Sequence, residues 1–212
     1  MDGGGIGFEE FHDCLQTLAR INVLTLAYRP TLRWLRQFRG EGLTLLDAGS
    51  GGGDMLRKIA GRMPGFTLRG LDLNPWSKKS AESLPFAGIR HDTGDIFDIG
   101  PSENIDLIIS SLFTHHLTEE QLVNFLRWME KTATRGWFVN DLHRHWLPYH
   151  FIKHAVKISR NRLIRHDAPV SVARAFTRSD WQRLLAAAGL APGAVSISWC
   201  FPFRYCLSRV KA

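Results

Sequence analysis

The stretch of sequence that decides the fold is Leu43-Thr44-Leu45-Leu46-Asp47-Ala48-Gly49-Ser50-Gly51-Gly52-Gly53-Asp54-Met55-Leu56. A short apolar run leads into glycine at positions 49, 51 and 53, and a helical pattern of apolar residues follows. Glycine allows tight turns and a close approach of the backbone to a ligand, and the first turn of a helix presents unpaired N–H groups. The stretch therefore predicts a nucleotide-type pocket between a strand and a helix.

Two details distinguish this pocket from a dinucleotide site. The dinucleotide fingerprint is G-x-G-x-x-G, whereas this chain has G-x-G-x-G. The carboxylate of Asp47, at the end of the apolar run, would repel a pyrophosphate. We therefore expect a cofactor that carries positive charge.

An acidic residue at a strand end followed by G-x-G-x-G resembles motif I of the class I methyltransferases that use S-adenosylmethionine. Asp72 closes the second predicted strand, 19 positions after Gly53. That spacing suits a carboxylate that accepts hydrogen bonds from the two hydroxyls of a ribose. The alternative role for Asp72 is to cap the helix that starts at Pro75.

Two further segments resemble motifs of the same family. Asp95 and Ile96 follow the third predicted strand, where a carboxylate and a backbone N–H can meet an adenine. The fourth predicted strand runs through Ser110 into residues 112–117, a region similar to that of small-molecule methyltransferases, including those of quinone biosynthesis. The resemblance covers residues 43–140.

The resemblance implies the cofactor S-adenosylmethionine, with S-adenosylhomocysteine as product, and a set of contact residues. Asp47 and Gly49 would lie at the methionine end, Asp72 at the ribose, and Asp95 with Ile96 at the adenine. Arg29 would either supply a cation for the cofactor carboxylate or be a surface residue. The implied contacts are Asp47, Ala48, Gly49, Ser50, Gly51, Asp72, Leu73, Asp95, Ile96, Ser110 and Arg29.

Strand and helix patterns alternate along most of the chain. Strands are predicted at 43–48, 67–73, 89–93, 105–110 and 136–140, helices at 54–63, 118–132 and 179–188, and another helix starts at Pro75. Two helices precede the first strand, separated at Pro30, and an antiparallel hairpin or sheet edge is expected within 194–207. The predicted fold class is α/β, a Rossmann-like, doubly wound, mainly parallel seven-stranded sheet with helices on both faces.

We expect a single domain over residues 1–212. Its predicted parts are N-terminal helices at 1–40, a cofactor-binding core at 41–142, an inserted helical lid over the substrate at 143–176 and a C-terminal helix with strands at 177–212. The lid sequence mixes aromatic, aliphatic and basic residues, so it can enclose an apolar acceptor or lie on an anionic membrane. Phe201, Phe203 and Tyr205 would extend the wall of the acceptor site or fill the core.

The formal net charge of +7, much of it within 153–183, fits a nucleic-acid partner, an anionic membrane or an ordinary solvated face. The three cysteines lack CxxC spacing, which argues against a disulfide framework and a zinc site. With no basic leader and no apolar run of about 18 residues, we expect a cytoplasmic location. The expected partner is a small-molecule acceptor, and the expected oligomeric state is a monomer or homodimer.

Methyl transfer to a hydroxyl needs a positioned acceptor and a base that removes a proton. Candidate catalytic residues follow strands four and five, at His115, His116, Asp141, His143 and His145. Each histidine has a structural alternative, as a helix cap, a core residue or a hydrogen-bond partner of the inserted segment. No metal is expected, because the pair His150 and His154 lacks the glutamate of H-E-x-x-H.

The expected activity is methyl transfer from S-adenosylmethionine to a small apolar or aromatic acceptor. An oxygen of a phenolic, polyketide-like or quinone-precursor acceptor is favoured over a quinone-ring carbon. RNA methylation is disfavoured for base amines, because the sequence after strand four is Ser110-Ser-Leu-Phe-Thr-His115 rather than an Asn/Asp/Ser-Pro-Pro-Tyr/Phe motif. Methylation of other RNA positions and cofactor binding without catalysis remain alternatives.

Overall fold

A computed structural model of the chain describes residues 7–40, 42–155 and 162–211. It contains one sheet in the order β3-β2-β1-β4-β5-β7-β6. Strand β7 runs antiparallel to β5 and β6, and the other pairs are parallel. The strands are β1 Thr44–Ala48, β2 Thr67–Asp72, β3 Ile89–Thr93, β4 Leu107–Ser111, β5 Gly136–Leu142, β6 Ser196–Cys200 and β7 Arg204–Val210. The predicted seven-stranded, mainly parallel sheet and its C-terminal hairpin are confirmed.

Helices cover both faces of the sheet, as predicted. They are α1 Phe8–Leu24, α2 Arg29–Leu35, α3 Asp54–Ala60, α4 Pro75–Glu82, α5 Glu119–Thr132, α6 Trp146–Ala155, α7 Arg162–Arg174 and α8 Arg178–Ala187. Successive residues of a strand face opposite sides, so Leu45 joins one buried cluster with α2 and α3, and Leu46 joins another with α5 and α8. Each face of the sheet therefore has its own apolar core.

The break between the first two helices differs from the prediction. It lies at residues 25–28, and Pro30 is inside the first turn of α2. Proline is tolerated there because the N–H groups of a first turn have no partner within the helix. Leu26 makes the reversal with a left-handed φ of 54°. The connection joins α2 to α1, which lies over the glycines that follow β1.

Side-chain caps fix where three helices begin. The side chain of Asn74 accepts from the N–H of Trp76 at the start of α4, and Thr118 and Thr177 form capping boxes at α5 and α8. Strand β5 extends beyond the predicted end at residue 140, because Asp141 and Leu142 pair with β7. Helices α6 and α7 follow β5 directly, which confirms that the insertion is helical.

The sheet order places the strand-order reversal between β1 and β4, the usual ligand position in a doubly wound sheet. The carboxyl ends of β1, β2, β4 and β5 share one edge, which we call the ligand edge. No helix within the described residues is long and apolar enough to cross a membrane.

Candidate active site

The glycine-rich turn after β1 has a conformation that side chains would prevent. Gly49 has φ 75° and Gly53 has φ 71°. A Cβ at Gly49 would lie 2.5 Å from Cδ2 of Phe113, and one at Gly53 would lie 2.5 Å from Cε1 of His91. Both positions combine positive φ with a close neighbour, so the turn is built around glycine.

Asp47 lies in β1 directly below this turn and is 2% exposed. Burial raises its pKa well above the usual range, and the nearby carboxylates of Asp54 and Asp72 add to the increase. A bound cation near Asp47 would favour the ionised form and offset this cost. The turn is therefore suited to a ligand with positive charge.

Asp54 opens α3, and its carboxylate is held by the N-terminal segment. The hydroxyl of Tyr28 donates to Oδ2 of Asp54 at 2.5 Å, and Nδ2 of Asn22 donates to the same oxygen at 3.3 Å. Arg29, the predicted cation for the cofactor carboxylate, is exposed at the start of α2. The structure thus brings the neighbouring Tyr28 to the glycine turn, and the sequence shows no local signal for this long-range contact.

Asp72 ends β2 beside the turn. Its Oδ2 accepts from the N–H of Gly51 at 2.9 Å, and its Oδ1 accepts from the N–H of Asn74 at 2.9 Å. The helix cap of α4 comes from Asn74, so capping does not explain this carboxylate. Leu73 beside it is 72% exposed, which leaves an apolar surface next to the carboxylate. This combination suits a ribose with an adjoining base.

The remaining predicted cofactor contacts divide into accessible and structural groups. Asp95 is exposed, and its Oδ1 accepts from the N–H of Phe97 at 3.0 Å, while Ile96 is buried beneath it. The hydroxyl of Ser110 donates to the carbonyl oxygen of Ala48 at 3.0 Å and is buried. Ser110 therefore ties β4 to β1, whereas Asp95 stands at the surface of the ligand edge. Ser50 is buried within the turn.

A buried cluster joins the ends of β4 and β5. Nδ1 of His115 lies 2.7 Å from Oδ1 of Asp141, and the backbone N–H of His115 donates to Oδ2 at 3.1 Å. The hydroxyl of Thr114 also donates to Oδ2, and the N–H of Leu142 donates to Oδ1 at 2.7 Å. Burial alone would raise the pKa of Asp141, but the ion pair with His115 and these hydrogen bonds lower it to about 2. Asp141 is therefore a fully engaged anion.

The other candidate histidines occupy different settings. His116 is exposed. His143 is half-buried, and among the described residues its Nδ1 has no hydrogen-bond partner. Burial lowers the pKa of His143, and the neighbouring His145 adds to the decrease. Nδ1 of His145 accepts from the N–H of Leu147 at 3.2 Å and so serves the first turn of α6.

Aromatic side chains surround His143 and His145. The ring centroid of His143 lies 4.6 Å from that of Tyr205, and that of His145 lies 5.3 Å from that of Phe203. Trp146 and Phe201, at 67% and 69% exposed, extend this surface outward. Of the predicted lid, residues 156–161 fall outside the described residues. The substrate role of the lid, its contact with a membrane and the oligomeric state of the protein stay predictions.

The described residues fit the cofactor that the sequence resemblance implies. A turn closed to side chains at Gly49 and Gly53 approaches a ligand through backbone, and buried Asp47 favours a cation. Asp72 offers paired acceptor oxygens beside exposed Leu73. Sequence reasoning missed Asp54, which directly follows the turn, and Tyr28, His91 and Phe113, which reach the turn from other parts of the chain.

Residues 21–194 match the family model described as a methyltransferase domain, and the chain belongs to this family. Together with the seven-stranded sheet, this defines a class I methyltransferase domain that uses S-adenosylmethionine.

The protein is also similar to individual methyltransferases. It is 30% identical over 93 residues to trans-aconitate 2-methyltransferase of Mycobacterium tuberculosis, a match that covers 44% of this chain and 34% of that protein. The chain thus spans about a third of the length of the curated relatives that it matches.

Two solved structures share the fold. Human N-acetylserotonin methyltransferase in complex with S-adenosylmethionine has a TM-score of 0.66 at 16% identity, covering 97% of this chain and 57% of that one. Magnesium protoporphyrin IX methyltransferase from Synechocystis with bound S-adenosylhomocysteine has a TM-score of 0.63 at 17% identity, covering 99% and 90%.

Proposed function

We propose that this protein transfers the methyl group of S-adenosylmethionine to an oxygen atom of a small aromatic or apolar acceptor, such as a phenolic or quinone-precursor hydroxyl. The observation that carries the proposal is the shared ligand edge. There the glycine turn with Asp47 and Asp72 lies beside the histidines that follow β4 and β5. The methyltransferases described above, named for small-molecule substrates, support this class of acceptor.

S-adenosylmethionine supplies an electrophilic methyl group on a sulfonium, and transfer is an in-line displacement that depends on alignment. In this chain Asp47 and the backbone of the glycine turn would hold the methionine end. Asp72 would accept from the ribose hydroxyls, and Leu73 with Asp95 and Ile96 would surround the adenine. These assignments give each of the carboxylates at 47, 72 and 95 a separate task.

His143 is our choice for the group that takes the proton of the acceptor hydroxyl. A base must be neutral at the working pH and must have a lone pair that no other group engages. Burial and the neighbouring His145 lower the pKa of His143, and its Nδ1, which is buried, has no hydrogen-bond partner among the described residues. His115 is less suited, because it is only 5% exposed. The His115 and Asp141 pair would instead fix the end of β4 against β5, beneath the acceptor.

Calorimetry with S-adenosylhomocysteine tests the cofactor site. The parent protein should bind it, and Asp72→Ala should bind it at least about tenfold more weakly, because hydrogen bonds to a charged acceptor are lost. Asp98→Asn, which changes an exposed carboxylate on the Ile96–Asp98 turn, should bind like the parent. If S-adenosylhomocysteine and S-adenosylmethionine do not bind at millimolar concentration, the proposed function fails.

A second experiment tests the reaction. A panel of phenols is offered with S-adenosylmethionine, and formation of S-adenosylhomocysteine is followed. His143→Ala should lower kcat on an accepted phenol by about a hundredfold or more, with unchanged affinity for S-adenosylhomocysteine. In the parent, kcat should fall at low pH, as His143 becomes protonated below its lowered pKa. Turnover equal to that of the parent would refute the assignment of His143.

A further inference from the structure

Arg204 is a buried cation at the ligand edge. It is the first residue of β7, pairs with Leu142 at the end of β5, and is 3% exposed. Its Nη2 donates to the hydroxyl of Thr25 at 3.3 Å. Among the described residues, no acceptor lies within hydrogen-bonding distance of its Nε or Nη1, both of which are buried. Two of the three guanidinium nitrogens are thus unpartnered among the described residues.

The nearest carboxylate does not satisfy this cation. Asp141 interacts with Arg204 through its charge. However, both of its oxygens already accept hydrogen bonds, from Thr114, His115 and Leu142. An arginine stays charged in proteins, and each of its buried N–H groups without an acceptor destabilises the folded protein. A side chain kept at such a cost is expected to have a ligand.

The position of Arg204 connects the two parts of the proposed active site. The charge of Asp141 on β5 acts on Arg204. The hydroxyl of Tyr28, in the same connection as Thr25, is bound to Asp54 at the glycine turn. Thr25, its hydrogen-bond partner, belongs to the connection between α1 and α2 that crosses the ligand edge. A group bound to Arg204 would therefore lie between the cofactor turn and the histidine cluster.

We propose that the methyl acceptor carries a carboxylate group and that Arg204 binds it through Nη2 together with Nε or Nη1. This inference rests on the proposed function and names the chemical class of its substrate. Nη2 forms a pair of parallel N–H groups with either of the other two nitrogens, and such a pair matches the two oxygens of a carboxylate, so charge and shape both select this group. Because the guanidinium is sealed from water and its Nη2 is bound to Thr25, the carboxylate reaches it when the connection at residues 25–28 moves aside.

The contact of that connection with Arg204 is its weak point. Leu26 holds a left-handed φ of 54°, which is strained for a residue with a side chain. The hydroxyl of Thr25 and the guanidinium are joined by one long hydrogen bond of 3.3 Å. Exchange of that bond for two charge-assisted bonds to a carboxylate favours the opened arrangement.

The test uses matched pairs of charged and neutral probes with the protein saturated by S-adenosylhomocysteine. Benzoate, phenylacetate and propane-1,2,3-tricarboxylate are each compared with the corresponding amide by calorimetry and thermal shift. At least one carboxylate should bind the parent saturably and more tightly than its amide by about tenfold or more. Arg204→Met should abolish that preference and still bind S-adenosylhomocysteine.

Two further variants keep the result interpretable. Arg209→Met removes an arginine of the same strand that pairs with Glu130 away from the ligand edge, so it should bind the carboxylate like the parent. Arg204→Lys keeps the charge without the planar fork, so it should weaken carboxylate binding by about tenfold. If Arg204→Met does not fold, the affinity of Arg204→Lys for the carboxylate tests the role of Arg204.

The inference is overturned if no carboxylate is preferred to its amide, or if the Arg204 variants bind the carboxylate as the parent does. A parent that fails to bind S-adenosylhomocysteine would overturn the proposed function instead. A parent that binds S-adenosylhomocysteine but shows no carboxylate preference would leave the proposed function standing and remove only the role of Arg204.

Discussion

Nδ1 of His115 and Oδ1 of Asp141 are 2.7 Å apart and join the ends of two adjacent parallel strands. Within the described residues the carboxylate accepts hydrogen bonds from His115, from Thr114 and from the backbone N–H of Leu142, and its charge also acts on Arg204. We therefore expect that removing the carboxylate lowers the stability of the protein.

Asp141→Asn should destabilise the protein by about 3 kcal/mol at pH 7, because it removes a buried carboxylate that accepts hydrogen bonds from Thr114, His115 and Leu142. The folded pKa of about 2 lies below the ordinary value of 3.8, so the stabilisation is present above about pH 4 and is lost as the pH falls toward 2. Urea unfolding from pH 7 to pH 2 measures this loss in the parent. Asp98→Asn, at an exposed site, should follow the parent, and an Asp141→Asn curve parallel to both would contradict the prediction.

Asp47→Asn should have the opposite effect on stability. The folded pKa of Asp47 is raised, so the unfolded chain ionises first and the parent loses stability as the pH rises above about 4. The variant avoids this loss and should be more stable than the parent at pH 7 by about 1 kcal/mol or more, with no difference near pH 3. Thermal unfolding at the two pH values measures the effect. Equal stability of variant and parent at both pH values would show that Asp47 is ionised in the folded protein.

The variant Asp47→Asn should also bind S-adenosylhomocysteine more weakly, because the negative charge that faces the cofactor is removed.

Gly49→Ala should destabilise the protein by about 2 kcal/mol, because alanine is strained at φ 75° and its Cβ would meet the ring of Phe113. Gly52→Ala is the matched control, since Gly52 has no positive φ and its Cβ would make ordinary contacts. A double-mutant cycle with Phe113→Ala separates the two causes in urea unfolding. Part of the cost of Gly49→Ala should disappear in the Phe113→Ala background. Strict additivity would mean that backbone strain alone is responsible.

Tyr28→Phe should weaken the attachment of the N-terminal segment to α3. It removes the hydroxyl that donates to Asp54, so that among the described residues Asn22 remains as the side-chain donor to that carboxylate, at a cost of about 1–2 kcal/mol. Hydrogen exchange of the α1 amides measures the result and should become faster in the variant. Tyr205→Phe changes a buried tyrosine on the opposite side of the sheet and should leave α1 exchange as it is.

The sheet and its cofactor turn could be predicted because their signals are local. The apolar run before Asp47, the glycines after it and the carboxylate at Asp72 each depend on neighbours within a few residues. The boundary errors have equally local causes, since Pro30 fits a first turn as well as a break. Strand β5 was predicted too short because its last two residues are paired only by β7, far along the chain.

The rest of the site depends on contacts between distant segments, which a single sequence does not encode in its spacing. Tyr28 reaches Asp54, Phe113 covers Gly49, and Arg204 meets Thr25 across 179 positions of the chain. The sequence offers Arg29 as a cation for the cofactor carboxylate, and this assignment stays a prediction. It gives no sign of Arg204, which the structure buries at the ligand edge. The cofactor contacts and the base stay predictions until they are tested as above.

Helix α1 lies over the glycine turn and is fastened at both sides, by His12 on Ser80 and by Asn22 on Asp54. Leu15 lies within contact distance of Gly51 and Gly52 between these two points. If release of S-adenosylhomocysteine requires α1 to detach from the turn, the rate of product release depends on the free energy of local unfolding of α1. Substitutions in α1, far from the reacting atoms, would then change kcat.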